Sequence, residues 1–323
     1  MSQQQHRPGP PYAPTNANVG GSPSVIPDVP VSAVFIALYV AFAIYNMTVF
    51  QMNSRKGYKF IPSVAVFGFC MARITTLVLR ITWSTRHTNV SLAVAANIFV
   101  NAGILIIYVI NLIFAQRILR ARQPVLGWRT SLAIIYKILF VGVACALIMV
   151  ITALVLSVYT LNAYSLRACR DVQLTSGTYL LVFTVIPLFV IAAAYLLPKN
   201  SARETFGEGS MRSKTAITLL VTCLCITNAG FRIGTAWAPR PASHPAWYHG
   251  KAPFYVFNFA IEIIILSILA LARIDKRFYV PDGSRQPGDY SRHTASSPDN
   301  AEVGSVQKEE KDGRSEDRTL FDA

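Results

Sequence analysis

Ser131 to Ser157 reads SLAIIYKILFVGVACALIMVITALVLS, twenty-seven residues in which Lys137 is the one charged side chain. That length exceeds the ~20 residues an α-helix needs to cross about 30 Å of hydrocarbon. It is also too long and too uniform for a tilted, alternating barrel strand. The stretch is therefore predicted to be a transmembrane helix, with Lys137 snorkelling from its start to the interface.

Six further runs share this character, at 31–51, 60–83, 91–115, 174–197, 215–235 and 253–272. The predicted fold class is an all-α membrane protein, a seven-transmembrane-helix bundle spanning 30–273. Composition agrees: 53% of the 323 residues are hydrophobic and 14% charged, against about 25% charged in soluble domains. Residues 1–29, rich in Gln, Pro, Asn, Ser and Gly, and residues 274–323, without hydrophobic periodicity, are expected to be disordered tails. No basic, short apolar and small-residue tripartite leader opens the chain, so the first run is expected to act as its own insertion signal.

A net charge of +14 raises the question of nucleic acid. Its distribution answers in favour of the membrane. Eleven of the sixteen acids follow Leu271, while Lys and Arg recur between the apolar runs. One set of connections holds fifteen basic residues: Arg55, Lys56, Lys59, Arg117, Arg120, Arg122, Arg129, Lys199, Arg203, Arg212, Lys214, Arg273, Lys276, Arg277 and Arg285. The other side holds six, Arg7, Arg86, Arg167, Arg170, Arg240 and Lys251. The positive-inside rule puts the first set in the cytosol, the N-terminus outside and the C-terminus inside. The sequon Asn89-Val90-Ser91 then faces outward as a glycosylation candidate. Asn46-Met47-Thr48 lies within helix 1 and should be silent.

Polar residues inside apolar runs are costly and point to function. Asn97, Asn101, Tyr108 and Asn111 share a sector of roughly 80° on helix 3 at about 100° per residue. Arg73 and Arg80 share a face of helix 2, Asn228 and Arg232 of helix 6, Asn258 and Glu262 of helix 7. Arg73 and Glu262 each lie about 13–15 Å below the outer surface at 1.5 Å per residue, which predicts an ion pair between them. Arg80, Arg232, Asn97, Asn228 and Asn258 are expected nearer the outer mouth. Three arginines against one glutamate leave positive charge for an anionic or zwitterionic small ligand. The same stripes also serve interhelical hydrogen bonding that fixes packing, and arginines near a mouth also snorkel. The Trp- and Tyr-rich loop 237–249 reads as an interfacial belt or a lid.

The five cysteines read as packing residues, Cys169 alone falling in a loop. All five histidines (His6, His87, His244, His249, His293) lie in tails or loops, unlike those of a seven-helix zinc hydrolase of the ceramidase type. Helix 7 lacks the lysine of a retinal protein. The Asp-Arg-Tyr and Asn-Pro-x-x-Tyr motifs of rhodopsin-like receptors are also missing. No catalytic residue, metal or cofactor is expected.

Arg73-Ile-Thr-Thr-Leu-Val-Leu-Arg-Ile81, and the run Asn97–Arg122 with Asn101-Ala-Gly, Asn111-Leu and Gln116-Arg-Ile-Leu-Arg-Ala-Arg122, resemble a fungal family of uncharacterised seven-helix membrane proteins. Its members are sometimes labelled family-C-like G-protein-coupled receptors. The resemblance covers roughly 31–280 and brings no established ligand or activity; the expected function is a receptor-like sensor, in the plasma membrane rather than an internal one, with membrane lipids and a cytoplasmic signalling protein as partners. A transporter or lipid translocator with a polar pathway along helices 2, 3, 6 and 7 is the alternative. A sealed inner half around Asn111 favours the first, and a hydrated path the second.

Overall fold

The computed structural model describes residues 9–12, 16–55, 57, 59–86, 89–198, 203–281, 283–284 and 286–292. Within them the seven apolar runs are seven helices long and apolar enough to span a membrane: α1 (Val25–Arg55), α2 (Ile61–Thr85), α3 (Val90–Arg122), α4 (Thr130–Tyr159), α5 (Ala163–Leu196), α6 (Met211–Trp237) and α7 (Lys251–Leu271). Local chemistry sets several starts. Pro62 occupies the first turn of α2, where its missing N–H costs nothing, and the Asn89 side chain caps α3 by accepting the Leu92 N–H at 3.2 Å. Ser210 caps α6 through Ser213 N–H at 3.2 Å.

Helix α5 begins at Ala163, eleven residues before the predicted 174. Hydropathy reads only the lipid-facing part of a helix, whereas Arg167, Arg170 and Asp171 extend α5 as an exposed projection. Cys169, expected in a loop, is accordingly a buried helical residue. In the same way α3 runs on to Arg122, past the predicted 115.

Helix α3 is the most buried span. It packs on α2, α5 and α6, while α1 lies along α2, α4 along α5, and α7 against α6 and α1. Helix α4 is peripheral, with Ile134, Ile138, Val141 and Ile148 exposed, an apolar surface suited to lipid. Besides the non-helical Ile26 at the start of α1, two of the described spans are discontinuous within their length. Helix α3 breaks at Ile104, whose N–H turns to the Ala102 carbonyl, and α7 widens into a π-turn over Val256–Ala260. Such interruptions leave carbonyls open to side chains.

Both ends of the bundle are more ordered than composition suggested. At the N-terminal end, residues 16–24 fold under the α6–α7 loop: Ala17 N–H donates to Arg240 O at 2.8 Å and Gly20 N–H to His249 O at 2.9 Å. Gly20, at φ +86°, lies so close to the Phe254 ring that a Cβ would stand 2.6 Å from its Cγ. The later part of the stretch expected to be a disordered tail, 16–29, is thus held against the bundle, and residues 1–8 and 13–15 lie outside the described residues.

At the opposite end the chain turns at Arg273, in the left-handed region at φ 47°, and caps the helix ends. Phe278, fully buried, stacks on Phe114 with ring centroids 4.3 Å apart, and its carbonyl accepts from Arg117. Tyr290 packs edge-on against Trp128 and Phe206 at 5.5 and 5.7 Å. Glu204 fastens this turn by accepting the N–H groups of Gly288 (2.7 Å) and Tyr290 (3.0 Å). The first part of the stretch expected to be a disordered tail, 274–281 with 286–290, is thus held at this end of the bundle, and 282, 285 and 293–323 lie outside the described residues. Aromatic packing onto loops distant in sequence leaves no periodic trace, which is why composition missed it.

Candidate functional site

Arg73 and Glu262 form the predicted ion pair. Both side chains are fully buried; Arg73 Nε donates to Glu262 Oε2 at 2.6 Å and Nη2 donates to Oε1. Tyr39 from α1 donates its hydroxyl to Oε2 at 2.9 Å, so the carboxylate is shared by three helices. The guanidinium also lies over the Phe69 and Phe259 rings, at 5.4 and 5.7 Å. Gly103 makes room for it, since a Cβ there would stand 3.2 Å from Arg73 Cζ. The break in α3 supplies acceptors: Arg73 Nη1 donates to Val100 O at 2.9 Å and to Phe99 O at 3.2 Å.

Arg80 has a counterion that the charge count left outside the membrane body. Its Nη2 and Nε donate to Asp28 Oδ1 at 2.9 and 3.1 Å, and Nη2 donates to Gly20 O at 2.8 Å. Asp28, fully buried, also holds Lys251 Nζ at 2.6 Å and accepts from the Tyr255 hydroxyl at 2.8 Å. The Phe254 ring closes over Arg80 at 4.1 Å. The expectation of three arginines against a single glutamate is corrected accordingly. Asp28 was legible as the one acid before Asp171, directly opposite the Arg80 end of α2, but it precedes the first apolar run.

Arg232 is differently placed. Half-buried on α6, it donates to Val100 O at 3.1 Å, to Asn101 Oδ1, and at 3.5 Å to Asn258 Oδ1, all neutral acceptors. Among the described residues no carboxylate lies within ion-pairing distance of it. Below it the α3 stripe meets α6 rung by rung. Tyr108 donates to Asn228 Oδ1 at 2.7 Å, and Asn111 Nδ2 donates to Thr222 Oγ1 at 2.8 Å. Asn228 Nδ2 reaches across to Phe257 O in the π-turn of α7 at 2.7 Å. Asn111 is buried, and its Oδ1 has no hydrogen-bond partner among the described residues.

A cavity of about 550 Å³ opens at the N-terminal end, bounded by Asn97, Asn101, Arg232, Asn258 and His249, with Arg167 and Arg170 of α5 at its edge. Arg73, Arg80, Asn228 and Glu262 do not line it. The predicted residues thus divide into a buried ion-paired set (Arg73, Arg80, Glu262) and a cavity-facing set (Asn97, Asn101, Arg232, Asn258), joined at the Val100 carbonyl, while Asn228 belongs to neither and ties α3 to α7 through Tyr108 and Phe257 O. Sequence reasoning missed Asp28, Tyr39, Tyr255 and Lys251, which complete the first set, and Arg167, Arg170 and Gln173, which line the second. Outside the spans, burial and the nearby Arg240 charge hold His249 below its ordinary pKa. Its Nδ1 accepts the Ala246 N–H at 3.3 Å.

Residues 124–211 and 207–279 match the model of a family described as a protein of unknown function (DUF3112). The match takes in α4 to α7, hence Asn228, Arg232, Asn258 and Glu262, and stops short of the α2 and α3 segments that carry the fungal resemblance. Neither a fungal nor a receptor signal accompanies it. No curated protein and no solved structure matches the chain. The chain is a multi-pass helical membrane protein, similar over about half its length to an uncharacterised domain.

Proposed function

We propose that this chain is a non-enzymatic, receptor-like sensor of the plasma membrane that takes an anionic or zwitterionic small ligand in the cavity beside Arg232. In this reading the N-terminal end, with Asn89, faces outward, as the fifteen-to-six distribution of basic residues suggests. The observation that carries the proposal is Arg232 itself, a cavity-wall guanidinium whose acceptors are all neutral. A carboxylate or phosphate is a better partner for that charge than an amide or a peptide carbonyl.

A ligand that draws Arg232 from Val100 and Asn101 loads α6 against α3 along the Tyr108–Asn228 and Asn111–Thr222 rungs. Helix α6 begins beside the C-terminal cap, where Ser213 accepts from Arg277 at 2.9 Å and Lys214 donates to Phe206 O. The ligand's differential affinity for two α3–α6 arrangements thereby reaches the basic loops that a cytoplasmic signalling protein would meet.

Discontinuities in α3 and α7 favour a second reading, since transporters bind cargo at broken helices. The buried environment of Asn111, beside the fully buried Leu112, favours the sensor. One experiment separates them. Spin labels at Arg129 and Arg212, both exposed, are followed in nanodiscs during titration with acetate, phosphate and glutamate, alongside flux of the same ions into proteoliposomes. The sensor requires a distance change that Arg232→Gln removes; Arg232-dependent flux with no distance change overturns it in favour of transport.

A further inference from the structure

The 550 Å³ cavity does not end at Arg232. A second pocket, of about 130 Å³, continues past that side chain between α3, α4, α5 and α6, and the two share Asn101, Leu154, Gln173, Arg232 and Ala236. Their walls differ. Beyond Arg232 the pocket is bounded by Leu147, Val150, Leu180, Ile233 and Gly177. The one hydroxyl at its wall, Tyr108, is committed to Asn228. A small hydrophilic anion at Arg232 leaves this apolar recess unfilled. An alkyl or aryl group fills it, as an apolar cavity of ~150 Å³ holds a benzene-sized group.

Resting on the reading of Arg232 as an anion site, we infer that the ligand is an amphiphile. Its anionic head, a carboxylate or phosphate, pairs with Arg232 in the larger cavity, and an apolar tail of about six carbons lies in the recess between α4, α5 and α6. The planar guanidinium suits either head, through paired N–H donors. Head and tail sites are adjacent, so one short molecule occupies both without spanning the bundle. Gly177 keeps the recess open: a Cβ there would stand 2.7 Å from Ile233 Cδ1.

The test is equilibrium binding of butyrate, hexanoate, octanoate, octanol and octyl phosphate to the full chain in phosphatidylcholine nanodiscs, with empty nanodiscs as the blank. Affinity is expected to rise roughly fourfold per methylene from butyrate to about six carbons and then level. Arg232→Gln should remove the preference of octanoate over octanol. Val150→Phe, on the sparsely packed α4, and Gly177→Leu should each abolish the chain-length gain. Tight octanoate binding points to a free acid, tight octyl phosphate binding to a lipid-type head, and either supports the inference. Arg232-dependent binding that is indifferent to chain length overturns the amphiphile and leaves the anion site standing. Absence of saturable binding by every probe overturns both.

Discussion

Arg73 and Arg232 donate to one acceptor, the carbonyl oxygen of Val100, at 2.9 and 3.1 Å. Like charges converge there because the break at Ile104 opens that carbonyl, and because Glu262 neutralises Arg73. The shared oxygen ties the ion-paired interior to the cavity wall, and a change on either side is felt on the other.

Glu262→Gln should therefore be severe. It leaves Arg73 buried without a counterion beside a second cation, at an expected cost of about 3–5 kcal/mol. The double variant Arg73→Met with Glu262→Met removes both charges and should recover much of that loss. Unfolding in mixed micelles, followed by tryptophan fluorescence, measures the cycle. A double variant as unstable as Glu262→Gln alone would show that the pair is not acting as a unit.

Asp28 neutralises Arg80 and Lys251 together. Asp28→Asn is expected to cost about 3 kcal/mol, because the Arg80–Asp28 contact is buried on both sides. The loss should appear first as faster hydrogen exchange at the Gly20 amide, whose carbonyl Arg80 also holds. Unchanged exchange there would remove Asp28 from any account of how residues 16–24 are held.

Glu204 fastens the C-terminal cap through two charge-assisted bonds. Glu204→Gln weakens those acceptors, and Tyr290→Ala removes the aromatic plug between Trp128 and Phe206. Each should raise proteolysis between Phe278 and Tyr290 on the order of tenfold without lowering global stability comparably. A collapse of the whole bundle in Glu204→Gln would instead place the cap inside the cooperative core.

His249 gives the N-terminal end a pH dependence. Its folded-state pKa is lowered from 6.5, so its contribution is complete above about pH 6.5 and is lost as pH falls through the folded-state value, where the imidazole protonates. Exchange at the Gly20 amide, corrected for its intrinsic pH dependence, should rise below about pH 6.5. His249→Gln should flatten that rise; a rise that persists assigns it to another group.

Much of the fold was readable because lipid imposes length and hydropathy on every span: Ser131–Ser157 marks a membrane protein, and six further runs of the same character complete the seven-helix class. The Arg73–Glu262 pair was readable because Glu262 is the one carboxylate within an apolar run and rise per residue fixes depth. Asp28 escaped because it precedes its run and folds back into the bundle. The break at Ile104 had only Gly103 as a sign. Phe278 and Tyr290 escaped because their partners Phe114, Trp128 and Phe206 come from three separate stretches. The cavity at Arg232 was half legible: the stripe on α3 named Asn97 and Asn101, while Arg167 and Arg170 read as loop charges.

The 189 residues between Arg73 and Glu262 have a consequence for how the molecule is made. At about 5–20 residues per second, Arg73 leaves the ribosome roughly 10–40 s before its carboxylate exists. Arg80 has Asp28 from the start, whereas Arg73 must wait without a counterion in a setting where an arginine costs ~2.5–3.5 kcal/mol even on insertion scales. Helix α2 is thus a provisional guest of the bilayer during synthesis, retained near the insertion machinery or beside α1 until α7, the last of the described spans to emerge, secures it.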